Sequence, residues 1–291
     1  MATLGVHDFF MTITRPPPLI VCVIGVSAVL FADGVSAADD EGLNLAAHRA
    51  VYDISLLDAA DDADVLNVSG RLVVEFTGSV CAGYESKLRF VTRTENPDGQ
   101  SFVTDTRSTS FEAADGSHLD FANETYAGTV LAEQSQGEAN RADDGIAVSL
   151  RKPEEKKVEI DGPLVFPTAQ MSRILMSAVR GEAFLSMAVY DGSEDGETVF
   201  ETAGVIGRES TSADVGDETA VEDAGMTGMR HWPVTLSYFD RDESGDETPF
   251  YVLSFIIYEN GVGRALRIDY GDFALAGKLT GLELLPSAPC P

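Results

Sequence analysis

Residues 163–181, PLVFPTAQMSRILMSAVRG, differ in pattern from the rest of the chain and determine its architecture. The segment predicts a buried amphipathic α-helix, because apolar residues recur at the i, i+3, i+4, i+7 and i+8 spacing of one helical stripe. These residues are Met171, Ile174, Leu175, Ala178 and Val179. Thr168 is the predicted N-cap, and Gly181 suits the left-handed position just after the helix. A lone helix among strands must bury its stripe against a sheet, so we expect the sheet to curve around it.

Segments of alternating apolar and polar residues fill the chain on both sides of this helix. They recur about every 10 residues between clusters of Gly, Asp and Asn, as in residues 66–77 and 145–151. The pattern predicts an all-β fold with one central helix and antiparallel strands. Residues 38–291 contain no fixed-period repeat and no low-complexity linker, which favours a single domain. The polar, acidic segment 209–228 is expected to be a mobile loop inserted into that domain.

The N-terminal residues match the pattern of a secretory signal peptide. Arg15 precedes an apolar run over residues 19–31, and Val35 and Ala37 are the small residues of a cleavage site. The apolar run is shorter than the roughly 18 residues that a membrane-spanning helix needs. We therefore expect residues 1–37 to be removed on export, and the mature protein to have no integral membrane span.

The charge of the chain limits its possible partners. The formal net charge is −28, and it becomes −27 once residues 1–37, with Arg15, Asp8 and Asp33, are removed. A chain this acidic repels phosphate backbones, because nucleic-acid binding needs clustered Lys and Arg to displace counterions. The sequence therefore predicts no nucleic-acid partner.

Two cysteines, Cys81 and Cys290, remain after the predicted cleavage. An isolated pair in an exported protein is typical of one structural disulfide. The alternative is two free thiols that act as nucleophile and resolving cysteine, although no neighbouring residue indicates a lowered thiol pKa. A disulfide between them would close a loop of about 210 residues and fix the C-terminal tail.

No residue pattern in the chain indicates catalysis or a cofactor. His48, His118 and His231 stand alone, and neither a His-x-x-x-His nor a Cys-x-x-Cys spacing is present for a metal ion. The chain also lacks the G-x-S-x-G motif of a serine hydrolase. We therefore predict no catalytic residues, no metal site and no cofactor.

Two acidic turns, residues 191–197 and 240–247, begin like calcium-binding loops. Such a loop needs a bidentate glutamate at its twelfth position, where this chain has Thr202 and Tyr251. We interpret both segments as ordinary β-turns on an acidic surface.

Several short motifs resemble proteobacterial cell-envelope integrity proteins of the EipB type. They are LAAHRAVYDI at residues 45–54, EFTG at 75–78 ahead of Cys81, FPT at 166–168, YDGS at 190–193 and TPFY at 248–251. The resemblance extends in order from Leu45 to Cys290. It implies a periplasmic protein whose antiparallel strands form one spiral, partly closed, barrel-like sheet around a helix. It also implies that Cys81 and Cys290 correspond to the two cysteines of the family.

The implied architecture is similar in outline to periplasmic lipoprotein carriers, which hold acyl chains between a curved sheet and a helix. We therefore expect a monomeric, non-enzymatic periplasmic protein that supports envelope integrity by binding a lipid, a lipoprotein or a protein partner. The candidate groove residues are Met171, Ile174, Leu175 and Ala178 on the helix. The alternatives are a hydrolase of envelope polymers and a purely structural scaffold.

Overall fold

The computed structural model describes residues 45–242, 248–287 and 290. The predicted signal peptide, residues 1–37, lies outside these residues, as does most of the predicted turn 240–247. Neither helix in the described part of the chain is long and apolar enough to cross a membrane.

The described residues form fifteen strands and two helices. The strands before the long helix are β1 His48–Ala59, β2 Asn67–Ser79, β3 Gly83–Glu95, β4 Ser101–Glu112, β5 His118–Ala127, β6 Val130–Ala142, β7 Gly145–Lys152, β8 Lys156–Asp161 and β9 Leu164–Val165. The helix α1 Pro167–Arg180 follows, and then β10 Phe184–Val189, β11 Phe200–Ile206, the short helix α2 Ala220–Asp223, β12 His231–Asp240, β13 Tyr251–Tyr258, β14 Gly263–Asp269 and β15 Phe273–Leu284.

All of these strands belong to one sheet whose middle is β1. The order is β8-β7-β6-β5-β4-β3-β2-β1-β15-β14-β13-β12-β11-β10-β9, so the first and last strands pair at the centre. Neighbouring strands are antiparallel except for β9 and β10, which are parallel. The two edge strands, β8 and β9, are separated in sequence by only Gly162 and Pro163. The sheet must therefore curl until its edges come close together, and this nearly closed barrel confirms the predicted fold class.

The two ends of the sheet are joined by packed side chains instead of a strand ladder among the described residues. Leu119 and Ile146, on β5 and β7, are buried in one cluster with Leu164 on β9 and Tyr190 after β10. Arg141 Nη1, on β6, donates a hydrogen bond to the carbonyl oxygen of Leu164 at 2.5 Å. One end of the sheet thus lies over the other, which gives the sheet the form of a spiral.

Helix α1 ends as predicted but begins differently. Gly181 adopts a left-handed φ of 74° just after the helix. Phe166 is the N-cap residue, so the prediction of Thr168 in that role is wrong. The backbone amides of Thr168 and Ala169 instead donate to the carboxylate of Glu112 on β4, at 2.7 and 3.1 Å. A carboxylate from a distant strand thus caps the helix, and no local sequence pattern contains that information.

The helix packs on the concave side of the sheet. Ile174, Leu175 and Ala178 are buried in the same cluster as Leu236 on β12 and Phe255 on β13. The capping of the first helical amides by Glu112 and the burial of the apolar stripe together hold the helix inside the curve of the sheet.

The acidic segment 209–228, which the sequence predicts to be a mobile loop insertion, is packed against the sheet in the structure. It contains α2, and its apolar residues Val215, Val221 and Met226 are buried. These residues belong to the same cluster as Ile54 on β1 and Leu279 on β15, which lie on the inner face of the sheet. These apolar residues are scattered among acidic ones, so no local pattern indicated that they would be buried.

Cys81 and Cys290 form a disulfide in the structure, with their Cα atoms 5.3 Å apart. The bond joins the turn after β2 to the C-terminal tail, across a sequence separation of 209 residues. The structure therefore has the structural disulfide and not the alternative of two free thiols.

Candidate functional site

A cavity of about 550 Å³ lies inside the curved sheet. Its walls come from the inner faces of β1 to β6, from β13, β14 and the segment between them, from the N-terminal part of α1, and from the turn 191–196. The volume falls in the range of roughly 300–1,000 Å³ that is typical of pockets for small ligands. The helix and the turn fill part of the space inside the barrel, and the cavity is the part that they leave unfilled.

The cavity wall changes from apolar to polar across neighbouring strands. The strand register aligns Val74 on β2, Leu88 on β3, Ser108 on β4, Asn123 on β5 and Ser135 on β6 in one row. All five residues line the cavity. Because residues in register on one face point the same way, the row is a continuous inner surface with an apolar half and a hydrogen-bonding half.

The apolar half continues onto the opposite wall. Its other members are Leu45, Tyr52, Leu72, Phe76, Met171, Leu253, Phe255 and Leu266. Tyr52 does not add a free polar group, since its hydroxyl donates to the carbonyl oxygen of Gly263 at 2.7 Å. Burial raises the pKa of Tyr52, so the phenol stays neutral. This part of the cavity therefore favours a hydrocarbon group.

The polar half is held together by the turn 191–196. Asn123 Nδ2 donates to the carbonyl oxygen of Gly192 at 2.9 Å, and Ser135 Oγ donates to the same oxygen at 2.5 Å. Gly192 has a left-handed φ of 72°, and a Cβ atom there would lie 2.3 Å from the ring of Phe121. Only glycine allows the turn to approach the wall this closely. The turn therefore forms a fixed part of the cavity.

The exposed part of the lining marks the mouth of the cavity. Among the described residues that line it, only Glu133 on β6 and Glu194 in the turn are exposed. We call these two residues the mouth. Asp191 lies beside them and is half-buried.

The lining carries negative charge and no positive charge. No lysine or arginine is present among the described lining residues. His48 is the lining histidine; its Nδ1 lies 2.8 Å from the carbonyl oxygen of Ala46, and burial lowers its pKa. The imidazole is therefore neutral near pH 7. The cavity thus combines an apolar interior with an anionic mouth.

The structure separates the four helix residues that the sequence suggested as groove candidates. Met171 lines the cavity, whereas Ile174, Leu175 and Ala178 are buried in the core between the helix and the sheet. Cys81 and Cys290 are not part of the lining. One helical stripe covers more than a third of a turn, so only its margin reaches the cavity.

Sequence reasoning missed the polar wall on β4 to β6. A signal was present on β4, where Thr104, Thr106, Ser108 and Ser110 alternate with charged and polar residues. A strand with no apolar face cannot border a dry core on either side. Such a strand indicates a sheet whose inner face contacts water or a ligand.

The histidines do not form a catalytic pair in the described part of the chain. His48 and His231 each place Nδ1 near a backbone carbonyl oxygen, at 2.8 and 2.9 Å. His118 has Asn140 on one ring nitrogen and Asp120 on the other, at 2.8 and 3.0 Å. None of these contacts pairs a histidine with a serine, threonine or cysteine nucleophile.

The first acidic turn binds its own backbone. Asp191 Oδ1 accepts a hydrogen bond from Ser193 N, and Asp195 Oδ1 accepts one from Glu197 N, both at 2.9 Å. No group of three or more His, Cys, Asp or Glu residues within the described ranges is arranged to hold a metal ion. These carboxylates are therefore occupied as β-turn acceptors.

Comparison with known proteins identifies close relatives over most of the chain. A family model described as EipB-like matches residues 39–286. The cell envelope integrity protein EipB of Brucella abortus (strain 2308) is 38% identical over 254 residues, which cover 87% of this chain and 89% of that protein. A crystal structure of a beta-barrel-like protein of a domain of unknown function, also from Brucella abortus, matches with a TM-score of 0.78 and 36% identity. This match covers 84% of this chain and 100% of that one.

Proposed function

The chain belongs to the EipB-like family, and we propose that it is a periplasmic binding protein that supports the cell envelope. In this proposal the protein acts by holding an apolar ligand in its cavity and catalyses no reaction. The name of the Brucella relative supports a role in envelope integrity. The choice of a ligand-binding mechanism rests on the cavity of this chain.

The observation that carries the proposal is the one-sided apolar lining of a cavity of about 550 Å³. Leu72, Leu88, Phe76 and Met171 present side chains with unfilled space beside them. Proteins normally pack such groups densely, because each buried CH₂ contributes about 0.8 kcal/mol when it leaves water. A hydrocarbon chain in the cavity would recover that free energy. A single acyl chain suits this volume better than a two-chain phospholipid.

Two observations support export to the periplasm. Residues 1–37 carry the pattern of a signal peptide, and Cys81 is bonded to Cys290. Disulfides persist in oxidising compartments, of which the bacterial periplasm is one. The cavity is complete within one chain, which supports a monomer as the binding unit.

The hydrogen-bonding state of the histidines supports a binding protein over an enzyme. Each described histidine is occupied by a backbone carbonyl, an amide or a carboxylate, and the Nδ1 atom of His48, the one in the cavity wall, contacts the carbonyl oxygen of Ala46. General acid–base catalysis needs a titratable group within reach of the reacting atom. In this proposal the hydroxyl and amide groups of the cavity wall orient the ligand and do not transfer protons.

The proposal is tested by filling the cavity. Ser108 lines the cavity on β4, whereas its neighbour Thr109 is exposed on the outer face of the same strand. We expect Ser108→Trp to weaken binding of the neutral apolar fluorophore N-phenyl-1-naphthylamine by about tenfold or more, because the indole occupies the ligand volume. Fluorescence titration of delipidated protein measures the change.

The matched control is Thr109→Trp, which adds the same side chain outside the cavity. It should bind the fluorophore as the unmodified protein does. Circular dichroism and a melting curve establish that both variants are folded. Equal binding by the two folded variants would contradict the proposal, since the ligand would then lie elsewhere.

A further inference from the structure

The two glutamates at the mouth are not paired with a cation among the residues that the structure describes. Neither Glu133 nor Glu194 forms an ion pair with a residue in the described part of the chain, although fourteen other ion pairs occur there. The charges that act on Glu194 are those of Glu133, Asp191, Asp195 and Asp240, and all of them are negative. Glu194 is exposed as a residue, but partial burial of its carboxylate, followed by the charges of Glu133 and Asp191, raises its pKa. Like charges held together at a cavity entrance favour a positively charged group between them.

The mouth is continuous with the hydrocarbon site. Glu133 is in register with Thr125 on β5, which is in register with Thr106 on β4, and the hydroxyls of the two threonines lie 3.3 Å apart. The same row continues across β3, at Phe90, to Leu72 on β2 and then to Tyr52 on β1. One inner surface therefore runs from a carboxylate, past two hydroxyls, to an apolar wall. A ligand that matches it has a polar head at one end and a hydrocarbon tail at the other.

We propose that the cavity selects a single-chain amphiphile with an ammonium head group, which lies between Glu133 and Glu194 while the tail lies along Leu72, Leu88 and Met171. This inference rests on the proposed function, because it names the class of ligand for the same cavity. The ligand binds in the cavity, and the two glutamates determine the charge of the head group that is accepted. A phosphate or carboxylate head group would meet two carboxylates and no cation.

The inference is tested with three amphiphiles that share a twelve-carbon tail. They are dodecyltrimethylammonium, dodecyl maltoside and dodecyl sulfate, each used below its critical micelle concentration. Displacement of N-phenyl-1-naphthylamine from the delipidated protein gives the three affinities. We expect the ammonium compound to bind roughly tenfold or more tightly than the sulfate at low ionic strength. The preference should decrease in 0.5 M salt, since exposed charges are screened at about that concentration.

The double variant Glu133→Gln with Glu194→Gln identifies the source of the preference. We expect it to weaken binding of the ammonium compound by roughly tenfold and to leave the maltoside within about twofold. The matched control is Glu155→Gln with Glu159→Gln, which removes the same charge from exposed positions outside the cavity lining. This control should keep the preference.

The outcomes separate this inference from the proposed function. A preference for the ammonium compound that the mouth variant loses and the control keeps supports the inference. If the maltoside binds but the sulfate binds as tightly as the ammonium compound, or if the mouth variant changes nothing, the inference is overturned and the proposed function stands. If no amphiphile displaces the fluorophore, both fail.

Discussion

Leu175 is the side chain on which the attachment of α1 to the sheet depends most directly. It has no exposed surface and lies in one buried cluster with Trp232 and Leu236 on β12. Leu175→Ala should lower the free energy of unfolding by about 2–4 kcal/mol, because the truncation leaves a cavity in a packed core. Chemical denaturation measures the difference.

The matched control lies four residues later on the same helix. Val179 is 46% exposed, so Val179→Ala should change the free energy of unfolding by less than about 0.5 kcal/mol. Equal effects of the two substitutions would contradict the described packing of the helix.

The difference between these two residues also shows what residue spacing can predict. At 100° per residue, Val179 is turned about 40° from Leu175. The buried side of α1 extends the other way and includes Gln170 and Ser177. The spacing of apolar residues therefore located the helix and most of its buried stripe. It could not locate the centre of the buried side, which depends on the shape of the sheet.

At the scale of elements, strand alternation predicted most of the sheet, and the missed elements have physical explanations. Edge strand β8 carries Lys156, Lys157 and Glu159, and charged residues are common at edges because they prevent further strand pairing. Strand β9 has only two residues, and α2 has only four. Elements this short are held by their surroundings, so their own sequence gives little signal.

The segment 209–228 is held to the sheet by a buried ion pair. Glu218 and Arg264 are 4% and 7% exposed, with the carboxylate 3.2 Å from the guanidinium. Glu218 Oε1 also accepts hydrogen bonds from the backbone amides of Ala265 and Leu279, at 3.0 and 2.7 Å. The carboxylate thus joins the segment to β14 and β15. The acidic residues around it gave no sign of which one would be buried.

Removal of this charge should loosen the segment. Glu218→Gln leaves the guanidinium of Arg264 buried without a counter-charge, which costs about 3–5 kcal/mol in comparable buried pairs. We expect a clear fall in melting temperature, measured by differential scanning calorimetry. The control is Asp217→Asn at the adjacent position, whose partner Lys278 lies in solvent contact. This control should leave the melting temperature nearly unchanged, and an equal fall in both variants would contradict the role of Glu218.

At the scale of the whole molecule, the cavity arises from closure of the sheet. Alternation along β4 shows that Thr106, Ser108 and Ser110 share one face. It does not show that this face is enclosed, because enclosure results from β5–β7 packing over β9 and β10. The fold class could therefore be predicted from sequence and family resemblance, whereas the polar wall and the mouth could not.

The disulfide acts at the same scale. Cys81 and Cys290 join points 209 residues apart, and the chain-entropy treatment gives up to about 5 kcal/mol for a loop of this length. The bond connects a turn beside the centre of the sheet to the end of the chain. It therefore stabilises the closed sheet that encloses the cavity.

Native mass spectrometry tests whether the cavity holds an apolar ligand. The protein is purified without detergent, and the unmodified chain is compared with Ser108→Trp and Thr109→Trp. We predict an added mass of one amphiphile on the unmodified chain and on Thr109→Trp, and its absence from Ser108→Trp, whose indole fills the cavity. A ligand-free mass for all three folded proteins would contradict the claim.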